Sequence, residues 1–245
     1  MNKLNRDIRY FYFINNHDLT QVGGSRREHI YKGHKIYYNT SANIHGDINT
    51  IVISGGRDAG RRPCFQLLIN NQEATLQSLE RGKDCFVDRY DNTKDLVYAS
   101  FELAKNKGCT IFQLVDNSFK SCPPYRFNLS DVYFLTEGKT WYESILPIKI
   151  VGRDASEIAE LRRRARTTTW LSISTYLLSI GVKIDFDVSD IPIDKPGSAM
   201  IILHRIKTMK NEISCKFFAE NTNRILFASN IPSFHGTLWK FEKNQ

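Results

Sequence analysis

The hydrophobic period of this chain changes once, between Ala74 and Asp116, and that change narrows the possible folds more than any other feature. Before it, apolar residues come in short runs separated by turn residues, and residues 74–79 form the last run. From residue 93 to 107 the apolar positions are Leu96, Val97, Phe101, Leu103 and Ala104, the spacing of one helix face. Asn92 or Thr93 offers an N-cap, and Lys105, Lys107 and Gly108 offer the cations and glycine of a C-terminus. Residues 110–115 then read as a buried strand. A strand, a crossover helix and a second strand predict parallel pairing with a right-handed crossover.

The flanking segments set the fold class. Residues 9–14 carry Tyr10, Phe11, Tyr12 and Phe13, and residues 29–40 read as two strands around Lys32 and Gly33. Residues 48–54, 64–70 and 74–79 continue the series, with a turn at Asn70 and Asn71. Short strands with short links predict an antiparallel meander. Residues 119–127, with Pro123 and Pro124, read as an irregular loop, and residues 129–145 as helix broken at Gly138. Residues 148–151 read as a short strand. Asp154 and Glu157 form a capping box for a helix running to about Ile180. Residues 182–188 alternate as a strand does. Pro196 opens a helix carrying Ala199, Met200, Leu203 and Ile206. A second helix spans 213–227, and 236–241 form a closing strand. The expected class is α+β: a mixed, mostly antiparallel sheet with a central strand–helix–strand unit and a helical C-terminal extension. Residues 1–151 form the expected core and residues 152–245 the extension packed on it, as one continuous domain.

With 245 residues the chain buries roughly 70% of its unfolded surface and needs no staples. Its net charge of +8 favours polyanionic partners. The five cysteines form no CxxC pair, which argues against zinc. Cys64, Cys85 and Cys109 sit beside apolar runs, as small buried hydrophobes do. The N-terminal residues hold no apolar signal segment, so the expected setting is the reducing cytoplasm. No run reaches the roughly 18 uncharged apolar residues of a membrane span.

The order of a meander, then strand–helix–strand, then a helix carrying a tyrosine resembles the GNAT superfamily of acyl-CoA-dependent N-acyltransferases, over residues 48–142. In that family the turn entering the central helix holds the CoA pyrophosphate on backbone N–H groups at a positive helix end. The matching segment here is Arg89-Tyr90-Asp91-Asn92-Thr93-Lys94. Arg89 fits the first position, Asn92 stands in place of a glycine, and Lys94 in place of a small residue. The passage from Ala104 to Val115 is similar to the family's helix end and following strand, and Asn117 falls where the family has an asparagine. The resemblance implies acetyl-CoA or another acyl-CoA held by Arg89, Asn92, Thr93, Lys94 and Asn117. It implies Tyr133 as general acid to the departing thiolate, with Tyr142 as a substitute, and an amine as acyl acceptor. Asp116, at a strand's C-terminal end, and Glu80 are the candidate bases. The segments 116–118, 129–131 and 138–142 are also similar to uncharacterised proteins of large DNA viruses, which implies a host-cytoplasmic or virion setting.

A second function class stays open. Asp91 and Asp95 put negative charge where the pyrophosphate belongs, and the glycines of the turn are missing. A non-catalytic viral binding or virion structural protein, contacting nucleic acid, fits those departures. Arg162, Arg163, Arg164 and Arg166 are its candidate phosphate contacts, weighed against an ordinary solvated helix face. Arg57, Arg61 and Arg62 are weighed in the same way against a solvated loop. The six histidines show no paired spacing, and no nucleophile elbow marks a Ser-His-Asp site.

Overall fold

The computed structural model describes residues 8–10, 26–42, 50–56, 63–79, 85–86, 93–184 and 186–242. Glu80, Arg89, Asn92, Arg57, Arg61 and Arg62 lie outside them. The fold is α+β with six α-helices among the described residues and a mostly antiparallel eight-stranded sheet. The chain divides into two compact units. The sheet unit comprises Ile8–Asn117, Pro147–Lys149 and Leu238–Gln245, and the helical unit holds Ser118–Leu146 and Ile150–Thr237.

In the sheet unit β1 (Ile8–Tyr10) is followed by β2 (Arg27–Tyr31), β3 (His34–Ala42), β4 (Thr50–Gly55), β5 (Phe65–Asn70) and β6 (Glu73–Leu79). Each pair from β2–β3 to β5–β6 is antiparallel. Lys32 and Gly33 both adopt positive φ, +49° and +79°, so the β2–β3 link is the two-residue turn whose twist suits a hairpin. Gly55 stands opposite Phe65, whose buried ring lies where a β-carbon at residue 55 would be. Only glycine leaves room for that ring.

Helix α1 (Thr93–Asn106) connects β6 to β7 (Ile111–Asp116), and these two strands pair in parallel from Glu73↔Ile111 to Leu76↔Leu114. The strand–helix–strand expectation and its parallel pairing hold. Leu96, Val97, Ser100, Leu103 and Ala104 form α1's buried stripe, and the helix packs on β5 and β6. Gly108, at φ +85°, ends it, with the Cys109 N–H returning to the Ala104 carbonyl. The sheet order is β10-β11-β7-β6-β5-β4-β3-β2, where β10 is Lys149–Ile150 and β11 is Thr237–Glu242.

The helical unit opens with a correction. Residues 119–127 are not an irregular loop but a hairpin of β8 (Ser118–Cys122) and β9 (Tyr125–Asn128), joined through the cis Pro123–Pro124 pair. Proline's missing donors disguise the strands in sequence. Helix α2 (Leu129–Glu137) ends at Gly138 as expected. The helix expected from Asp154 to Ile180 is two helices, α3 (Ala155–Thr167) and α4 (Trp170–Ser179). Thr168 and Thr169 are extended between them, and the Thr169 hydroxyl accepts the Ser172 N–H to cap α4. Three successive β-branched threonines with a new capping residue outweigh the continuing apolar stripe. The described residues of 182–188 are not a strand. Helices α5 (Ser198–Thr208) and α6 (Asn211–Ala228) complete the unit. Trp170, Phe186, Phe217, Phe218 and Phe127 interlock across α4, α6 and β9.

The cysteines require a second correction. Cys64 pairs with Cys85 inside the sheet unit, and Cys122 with Cys215 inside the helical unit, tying β8 to α6. Only Cys109 is a free buried thiol, as all three apolar-flanked cysteines were expected to be.

Candidate functional site

The parallel pair β6–β7 is where an open sheet gathers ligands, beyond the strands' C-terminal ends. The register between them ends at Leu76↔Leu114, while β6 continues to Leu79 and β7 to Asp116. Buried positions alternate along β7 as Phe112, Leu114 and Asp116. Asp116 therefore takes the third inward position of the strand, and it is fully buried. The next residue, Asn117, turns its N–H back to the Val115 carbonyl at 3.0 Å.

At the start of α1, Thr93 is buried and Lys94 is exposed. Asp95 occupies the first turn, where its carboxylate already complements the positive helix end. Lys32 Nζ lies 3.8 Å from Asp95 Oδ1 and over the rings of Tyr31 and Tyr98. The described residues at this helix end thus present a carboxylate with its own cation.

Tyr133 lies on α2 in the helical unit, whereas Asp116, Asn117, Thr93 and Lys94 belong to the sheet unit. The Lys207 ammonium of α5 covers the Tyr133 ring, 3.6 Å from its centroid. Lys207 Nζ donates to Glu137 Oε1 at 3.0 Å and to Thr136 Oγ1 at 3.3 Å, and His204 Nδ1 also meets Glu137 Oε1 at 3.0 Å. Burial pushes the Tyr133 hydroxyl above its ordinary range, and nearby Glu137 adds to the shift. Burial opposes ionisation of Glu137, but the bonds from Lys207 and His204 outweigh it and hold its carboxyl below the usual range. Lys207 also falls, because burial outweighs the pull of Glu137 on this more enclosed partner. Nothing local in the sequence marks this cluster: its members are about 70 residues apart and meet only when α2 packs on α5.

The arginine run of α3 is largely matched by acids. Arg162 Nη2 donates to Glu143 Oε1 at 2.5 Å, and Glu143 Oε2 accepts the Thr140 N–H at 2.8 Å. Arg163 grips Glu160 with two bonds of 2.7 and 2.8 Å. Arg164 donates to Glu160 at 2.9 Å and to the Asn230 carbonyl at 2.9 Å. Bonds from Arg163 and Arg164 bring the Glu160 carboxyl down to about 2. Arg166 is exposed.

An apolar cavity of about 110 Å³ lies at the other end of α1, lined by Phe101, Ala104, Cys109, Phe112 and Phe241. Burial raises the Cys109 thiol, which keeps it neutral and part of the packing. None of the candidate site residues lines this cavity. Among the described residues no cluster of three metal-ligating side chains occurs, and no helix is long and apolar enough to cross a membrane.

Comparison with protein-family models, curated proteins and solved structures finds no match to this chain.

Proposed function

We propose that this chain is a non-catalytic binding or structural protein whose partner is another protein surface. One observation carries the reading: Asp116, the base that the end of β7 offers, is fully buried. A general base must come within hydrogen-bond reach of the amine it deprotonates. A carboxylate sealed on the inward face of β7 serves packing instead. Asp95 and its cation Lys32 add to this, since they occupy the helix end an acyl-CoA would need.

Nucleic acid is the less favoured partner. Arg162, Arg163 and Arg164 each hold a carboxylate, so binding phosphate would first break those pairs. Two disulfides favour assembly where thiols oxidise. A virion surface is such a setting and the reducing cytoplasm is not. A virion is one of the two settings that the viral resemblance implies.

The acyltransferase reading is favoured by one feature, the early end of the β6–β7 register while both strands run on. Such an opening suits a GNAT-like cofactor cleft. Calorimetric titration with acetyl-CoA up to millimolar concentration separates the two readings. The proposal expects no saturable heat. Saturable binding that weakens when Lys94 is changed to Glu overturns it in favour of the acyl-CoA reading.

A further inference from the structure

The apolar cavity at the C-terminal end of α1 lies wholly within the sheet unit and takes no part in the function proposed above. Its volume is about 110 Å³. Protein interiors hold few voids larger than a water molecule, so a space of this size stands out. Phe101 meets Phe112 and Phe241 edge-on, with centroids 5.3 and 5.0 Å apart and interplanar angles of 90° and 84°. Rings locked in edge-to-face pairs keep the walls from collapsing into the space.

The chemistry of the walls decides what the space accepts. Phe101, Ala104, Phe112 and Phe241 offer water no side-chain hydrogen bond, and an apolar cavity of this kind takes apolar ligands. Burial keeps the Cys109 thiol protonated, so that wall adds no negative charge. An apolar cavity of about 150 Å³ holds benzene, so about 110 Å³ holds an apolar body of roughly four or five carbons.

Charge at the mouth selects further. Lys105, exposed in the last turn of α1, lines the same cavity. Among the described residues no carboxylate pairs with its ammonium. The carbonyls at this helix end are already taken. That of Ala104 accepts the Lys107 and Cys109 N–H groups at 3.0 and 3.1 Å, and that of Lys105 accepts the Gly108 N–H at 3.0 Å. Three rings alone would suit an alkylammonium ion, but the Lys105 ammonium repels one. A carboxylate at the mouth gains a charge-assisted hydrogen bond instead.

We propose that this cavity binds a small monocarboxylate. Its apolar body of roughly four or five carbons lies among the three phenylalanine rings, and its carboxylate meets Lys105 at the mouth. Roughly 16 Å of helix separate Lys105 from Lys94, so this site is distinct from the helix end where an acyl-CoA would sit. It is therefore independent of whether the chain binds acyl-CoA.

Titration of the nitrogen-15-labelled full chain with pentanoate, followed through its amide shifts, tests the site. The expected result is a saturable shift centred on Ala104, Cys109 and Thr110, with a dissociation constant on the order of 1 mM for so small a ligand. Acetate lacks the apolar body and pentylamine brings a second cation to Lys105, so neither should saturate over the same range. Lys105→Gln should weaken pentanoate about threefold, the effect of one exposed ion pair. Because Lys105 is exposed, that variant should keep the wild-type melting temperature. Ala104→Leu fills the cavity and should abolish binding while circular dichroism confirms the fold. No saturable shift with pentanoate up to about 20 mM, well above the expected constant, overturns the site. Pentylamine binding as tightly as pentanoate, or pentanoate binding untouched by Lys105→Gln, overturns the carboxylate assignment.

Discussion

The Phe234 backbone N–H donates to Asp131 Oδ1 at 2.6 Å, across 103 residues of chain, while the Ser233 hydroxyl holds Oδ2 at 2.8 Å. Asp131 is fully buried on α2, and this carboxylate clamps the segment after α6 against it. Burial pushes the carboxyl above its ordinary value, although the hydrogen bonds pull the other way. A raised acid pKa in the folded state means that stability is greatest below the unfolded value of 3.8 and is lost as pH rises through the folded value. Asp131→Asn keeps one acceptor and removes the titration. Its stability relative to wild type should improve steadily as pH rises from about 4, read by urea unfolding at several pH values. Asp131→Ala removes the same titration and also orphans the buried N–H, so it should lie about 1–3 kcal/mol below Asp131→Asn at every pH. Equal effects of the two variants at all pH values would contradict this account of the clamp.

The disulfides close loops of very different size, with separations of 21 and 93 residues. Loop-closure entropy predicts a loss of about 3 kcal/mol for Cys64→Ser with Cys85→Ser, and about 4.5 kcal/mol for Cys122→Ser with Cys215→Ser. Thiol titration in denaturant without reductant should find one reactive group per chain, Cys109. Five groups would mean the pairs do not form in the isolated protein.

Glu137 gathers Lys207 and His204 on the face of α2. Its lowered pKa contributes stability that is full above the ordinary value of 4.5 and is lost as pH falls through the folded value. Glu137→Gln should therefore cost about 1–2 kcal/mol near neutral pH and progressively less below 4.5. Adding Lys207→Met should recover part of that loss, because it removes an ammonium left enclosed without its carboxylate. A double-mutant cycle by thermal or urea unfolding gives the coupling directly.

Arg162, Arg163 and Arg164 each pair with a carboxylate, and the proposed function gives them to the fold rather than to phosphate. Changing all three to Ala should lower the melting temperature while leaving any salt-dependent binding of random DNA or RNA unchanged. Arg162 should account for most of the loss, since its partner Glu143 is only 11% exposed and also caps the Thr140 N–H. A drop in nucleic-acid affinity with no change in stability would reverse the assignment.

Local chemistry made much of the sheet unit legible. The turn at Lys32 and Gly33, the stripe from Leu96 to Ala104 and the stop at Gly108 are all short-range signals, and the structure follows each of them. The hairpin at 118–128 was hidden because Pro123 and Pro124 read as loop formers. The break at Thr168 and Thr169 was hidden because an apolar stripe runs on either side of it. The pairing of Cys122 with Cys215, the Asp131 clamp and the Glu137 cluster depend on helices meeting across tens of residues, which no local pattern encodes. The site candidates divide in the same way. Asp116 was placed correctly at a strand end, but its burial follows from the inward register of β7, set by the whole sheet.

The most direct test of a non-catalytic role is turnover. The protein is incubated with acetyl-CoA and a panel of primary amines, and free CoA thiol is quantified over time. The account predicts release no faster than without protein. Release that saturates with acetyl-CoA and disappears in Asp116→Asn and Tyr133→Phe would contradict it.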